Sequence, residues 1–151
     1  MRALRQRYGT GEAVQQTLNG TQPQNRSLLL SGTRWEHQPL VVSEFGGITY
    51  AVDDEERWPG YGAVQSPKDL LDRYRRLVDA LIDSPAVAGF CYTQLTDTLQ
   101  EKNGLLTEGR VPKIDPAVLR RINRRPAAAV PVDEVGSFEY GDYPPEVMDP
   151  R

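Results

Sequence analysis

The sequence holds one cysteine and one histidine in 151 residues. A lone thiol excludes an internal disulfide framework and a cysteine zinc site. His37, with no second ligand or nucleophile near it in sequence, reads as a polar loop residue rather than a catalyst or metal ligand. No apolar run approaches the ~20 residues of a membrane span. Met1-Arg2-Ala3-Leu4-Arg5 has a basic flank without the apolar stretch of a signal peptide. The formal net charge of −3 argues against a nucleic-acid surface, which is normally basic. Apolar residues make up only 38%, and 13 glycines with 12 prolines imply much loop. These shortages lead to the expectation of a soluble α/β chain of a reducing compartment, provisionally cytoplasmic. Neither a nucleic-acid nor a membrane partner is expected.

What is present is organised around one strong helix. Ser66 is a candidate N-cap, Pro67 fits the first helical position, and Asp69 completes a capping-box-like start. Leu70, Leu71, Tyr74, Leu77, Val78, Leu81 and Ile82 then follow the i, i+3, i+4, i+7 stripe of a helix over residues 66–83. Pro85 ends it by pushing Ser84 out of the α region. Arg73, Arg75 and Arg76 fall between the apolar positions and read as its solvated face.

Short β-forming runs flank the helix, residues 40–42 before it and 86–95 after it. The first is continuously apolar, which suits a strand buried on both faces. Strand, helix, strand in this order predicts a parallel βαβ unit. A further helix is predicted over residues 116–123 behind Asp115, and another over 11–18 behind Thr10. Leu28-Leu29-Leu30 reads as a short strand or a packed loop. From Arg124 onward, prolines and acids without periodicity predict a mostly disordered tail. The expected division is a folded domain over residues 1–123 and a Pro/acid-rich flexible tail over 124–151.

In parallel sheets, ligands bind beyond the carboxyl ends of the strands. Glu44 stands at that end of the first strand, followed by Phe45-Gly46-Gly47, and Asp97 stands just past the second. Either carboxylate could instead cap a loop or pair with an arginine. The long segment 48–65 carries Tyr50, Trp58 and Tyr61, whose flat faces suit stacking on sugar rings or pinning the loop to the protein. Gly9-Thr10-Gly11 lacks both a preceding strand and a third glycine, so no dinucleotide site is expected. Cys91, inside an apolar strand, is expected to pack as a small hydrophobe. The sequons at Asn19 and Asn25 are read as chance matches.

Three motifs in order resemble one family. Val42-Ser43-Glu44-Phe45-Gly46-Gly47 looks like the nucleophile strand of glycoside hydrolase family 2, the β-galactosidase, β-glucuronidase and β-mannosidase group. Residues 89–97, GFCYTQLTD, resemble the last barrel strand of a bacterial branch of that family. Residues 103–113, NGLLTEGRVPK, are similar to its segment after that strand. The resemblance covers roughly residues 35–120.

This resemblance implies a partial (β/α)8 TIM barrel, the last two to three β/α units, with the site at its carboxyl face. Family members are retaining glycosidases that use two carboxyl groups. Glu44 would be the nucleophile, and Tyr92, Gln94, Asp97, Trp58 and Tyr61 would line the sugar pocket. The substrate would be a carbohydrate, with no metal and no cofactor. The second carboxyl should be the Glu of an Asn-Glu pair, yet Asn19, Asn25, Asn103 and Asn123 are followed by Gly, Arg, Gly and Arg. The acid/base and the earlier strands are therefore expected to be missing from this chain, leaving it inactive by itself. Glu101-Lys102-Asn103 stands where glucuronidases carry Asn-x-Lys, which speaks against uronic-acid specificity. The alternative is a non-catalytic partial barrel that binds sugar, is completed by a complementary chain, or is a decayed product. Its open edges would favour a partner or self-association.

Overall fold

The computed structural model describes residues 6, 10–20, 28–36, 38–52 and 62–129. Among these, the elements run α1 (Gly11–Gly20), β1 (Leu40–Gly46), α2 (Pro67–Ile82), β2 (Val87–Thr93) and α3 (Pro116–Asn123). Each helix starts as its cap dictates. Thr10 Oγ1 accepts from Ala13 N at 3.1 Å. Ser66 Oγ accepts from Asp69 N at 3.1 Å and donates to the Asp69 carboxylate at 2.7 Å. Asp115 Oδ1 accepts from Ala117 N at 2.8 Å ahead of Pro116. Such side chains satisfy amide groups that the first turn leaves without partners.

The apolar stripe of α2 buries Leu70, Tyr74, Val78, Leu81 and Ile82. Four of these join Ile48, Leu105, Ile114 and Ile122 in the core. Burying each such aliphatic side chain contributes about 1.5–3 kcal/mol. β1 and β2 pair in parallel as expected of the βαβ unit. Phe45, Phe90 and Tyr92 pack from the sheet onto the core, their rings meeting edge to face at 5.5–5.6 Å between centroids.

The described sheet is covered on one face, which corrects the expectation of a strand buried on both. Val41 stays 56% exposed, and it lies beside Gly89. Cys91 is exposed as well, rather than packed as a small hydrophobe. An apolar run looks the same in sequence whether one face is covered or two. Residues 28–30 form neither a strand nor a packed loop. They enter a turn closed by Thr33 N to Leu30 O at 3.0 Å, with Leu30 82% exposed.

The chain stays attached beyond residue 123. Arg125 pairs with Asp79 and Asp83 on α2, and Ala128 N donates to Ile82 O at 2.8 Å. Residues 130–151, most of the expected tail, lie outside the described residues, as does His37.

Candidate active site

The two strands do not run in simple register. Val42 pairs with Phe90 and Phe45 with Tyr92, so β1 carries one more residue than β2 between these pairs. The extra residue forms a bulge at Ser43-Glu44, and both residues are exposed. Bulges re-aim side chains and recur beside active sites. Here the bulge leaves the Glu44 carboxylate in solvent near the carboxyl end of β1, with no hydrogen bond or ion pair among the described residues. Gly46 follows at φ 107°, and a Cβ there would run into the Tyr92 ring. Glycine is thus required both for the backbone conformation and for the close approach.

Asp97 has a different fate. It is 7% exposed, and its Oδ1 accepts from Lys113 Nζ and from Gly104 N, each at 2.8 Å. The Lys113 side chain is fully buried and also donates to Tyr50 O at 2.6 Å and Lys102 O at 3.2 Å. Its ammonium lies 5.8 Å from the Tyr50 ring centroid, within cation–π range. Burial pulls the Lys113 pKa below the ordinary lysine value, and the bond to Asp97 pulls the other way. A Cβ on Gly104 would collide with the backbone of Thr96, Asp97 and Leu106, so the turn closes only around glycine.

The clasp ties the loop after β1 to the loop after β2. Tyr50 N donates to Lys102 O at 2.8 Å, and Gly47 N to Thr93 O at 2.8 Å. Gln94 follows a cis Thr93–Gln94 peptide. Its Nε2 donates to the buried Asn103 Oδ1 at 2.6 Å and reaches Glu101 at 3.4 Å. Lys102 lies 3.8 Å from Glu108.

Tyr92 points into the helix-facing core. Its ring meets Tyr74 at 5.0 Å and Phe45 at 5.5 Å. Its hydroxyl is buried without a hydrogen bond of ordinary geometry. Burial pushes the phenol up to about 12, opposed by the facing Ile48 backbone N–H. Tyr74 is also raised by burial, and its hydroxyl donates to Asn123 Oδ1 at 2.9 Å.

Of the residues expected to surround a sugar, the structure therefore leaves Glu44 open and Gln94 half-buried. Asp97 is committed to Lys113, and Tyr92 is packed among aromatics. Trp58 and Tyr61 lie outside the described residues. Sequence reasoning assigned no role to Lys113, although a lysine between Val111-Pro112 and Ile114 is a signal of a buried, paired cation. Among the described residues no group of three His, Cys, Asp or Glu could hold a metal, and no helix is long and apolar enough to cross a membrane.

No protein-family profile and no curated protein sequence matches the chain. Among solved structures, it is similar to a Faecalibacterium prausnitzii β-glucuronidase at 27% sequence identity and a TM-score of 0.43, over 60% of this chain. The chain spans 16% of the length of that protein.

Proposed function

We propose that the chain is the carboxy-terminal part of a retaining glycoside hydrolase barrel of family 2, with Glu44 as its nucleophile. The observation that carries this reading is the exposed, unpaired Glu44 in a bulge at the carboxyl end of a parallel strand, inside the motif Val42-Ser43-Glu44-Phe45-Gly46-Gly47. An ionised Glu44 would attack the anomeric carbon and displace the aglycone, forming a glycosyl-enzyme ester that water then hydrolyses with net retention. The leaving oxygen needs a proton from a second carboxyl about 5–5.5 Å from the nucleophile. No Asn-Glu pair exists in this sequence to supply it. General acid help is worth about 10²–10⁴ in rate. Gln94 would bond sugar hydroxyls, and Trp58 and Tyr61 would stack on the ring. Asp97 and Lys113 would position the loops.

The purified chain is expected to show no turnover of aryl β-glycosides. Turnover lost on Glu44→Gln would overturn the view that the acid/base is missing. With barrel strands carrying an Asn-Glu pair joined to it, a 2-deoxy-2-fluoro glycoside should leave a covalent adduct on Glu44, located by peptide mass spectrometry. An adduct on another carboxylate would reject Glu44. A second reading, a non-catalytic module completed by a partner chain, is favoured by the open sheet face at Val41 and Cys91. It predicts self-association or aggregation of the isolated chain in light scattering.

A further inference from the structure

We propose that the groove between α2 and α3 is a docking site for an acidic segment of this same chain, residues 133–143. The groove encloses about 450 Å³, with Arg75, Asp79, Asp83 and Arg121 around the apolar Val118 and Ile122. Arg125 bridges both aspartates through one oxygen of each carboxylate and so offsets their charge. Arg75 and Arg121 are exposed and have no ion pair among the described residues. They are left to supply guanidinium donors to an incoming carboxylate, the planar fork that binds such groups best. With Arg125 they put three guanidinium groups around the apolar Val118 and Ile122.

The carboxy-terminal sequence has the complementary chemistry. Residues 130–151 contain six of the 21 acidic residues and one of the 18 basic ones, a net −5 in a chain of net −3. Residues 1–129 therefore carry +2. Within 133–143, Asp133, Glu134, Glu139 and Asp142 alternate with Phe138, Tyr140 and Tyr143. The carboxylates suit the arginines, and the aromatics suit the apolar floor and stacking on guanidinium planes.

Where the described chain ends also favours this occupant. Ala128 N bonds Ile82 O in the last turn of α2, next to Asp83 on the groove wall. From Ala129 to Asp133 an extended chain spans at most ~14 Å. A short tether gives an effective concentration on the order of millimolar, so a weak contact suffices. A separate acidic protein would have to compete with it.

Amide hydrogen exchange on the full chain tests the proposal. At ~20 mM salt, residues 133–143 should exchange several-fold more slowly than in a synthetic 130–151 peptide. The slowing should vanish at ~1 M salt, where the Debye length is about 3 Å. It should also vanish in R75E/R121E and return when E139K/D142K is added to that variant. Circular dichroism checks that the helices survive. If charge reversal unfolds the chain, R75Q/R121Q should still lose most of the slowing. Exchange at the free-peptide rate in low salt would overturn the proposal, including where an added acidic peptide protects the groove. Slowing that survives both arginine changes would overturn it too.

Discussion

Two carboxylates stand at the carboxyl ends of neighbouring parallel strands, Glu44 within β1 and Asp97 past the end of β2, and the fold treats them in opposite ways. Asp97 is buried, and one oxygen serves both Lys113 and Gly104. Glu44 sits in a bulge, exposed and unpaired among the described residues. A carboxylate whose lone pairs already hold a buried ammonium and a backbone amide gains little by leaving them. An open one keeps its lone pairs for an incoming group. Position at a strand end therefore does not by itself mark a reactive acid. The partner set separates the acid that holds the loops from the acid available for chemistry.

Breaking the clasp should have the largest effect on stability. Lys113→Met leaves the Asp97 carboxylate buried with only the Gly104 amide, and it releases the carbonyls of Tyr50 and Lys102. Removing one partner of a buried pair costs about 3–5 kcal/mol. Urea unfolding of the variant should show a loss of that size. Adding Asp97→Asn, which keeps an acceptor for Gly104 and removes the stranded charge, should recover part of it. A loss below about 1 kcal/mol, the range of surface ion pairs, would mean that the clasp is not a buried pair in solution.

The helices and their caps were legible in sequence because their signals are local. Ser66-Pro67 and Asp115-Pro116 each state where a helix starts, and the leucine spacing of α2 states which face it buries. The strands were legible as apolar runs. Their register was not, since nothing in Val42-Ser43-Glu44-Phe45 distinguishes a bulge from a regular strand. The exposure of Val41 and Cys91 depends on what covers the sheet, which a run of β-formers does not record. Lys113 finds Asp97 across 16 positions, and Tyr92 turns towards Tyr74 on another element. The exposure of Glu44 at a bulge and the packing of Tyr92 into the core both depend on residues distant in sequence, so sequence alone could not tell an open residue from a core one.

A buried phenol gives the next effect in size. The Tyr92 hydroxyl is pushed from 10.0 up to about 12, so the folded state keeps a proton that the unfolded chain releases first. Stability from this group is complete below pH 10 and is lost as pH rises towards 12. Two pH units correspond to about 3 kcal/mol. Lys113 acts in an earlier window and with the opposite sign. Its folded pKa lies below 10.5, so its contribution makes stability rise with pH up to that value. Urea midpoints followed through this range should therefore fall steeply only above pH 10. Tyr92→Phe should flatten that fall, leaving the part due to Tyr74. An unchanged slope in the variant would place the Tyr92 hydroxyl in contact with water.

Glu44→Gln should have the smallest effect on the fold and so tests the open side of the comparison. The amide keeps the shape of the carboxylate, and no described neighbour loses an ion pair. The urea midpoint should move by no more than about 0.5 kcal/mol, as for surface substitutions away from special features. The same change should abolish the fluorosugar adduct when barrel strands carrying an Asn-Glu pair are joined to the chain. A loss of 2 kcal/mol or more would mean that Glu44, like Asp97, supports the loops, because breaking a structural contact is what costs that much at an exposed bulge. Unchanged stability with the adduct abolished separates a nucleophile from a support, which neither measurement does alone.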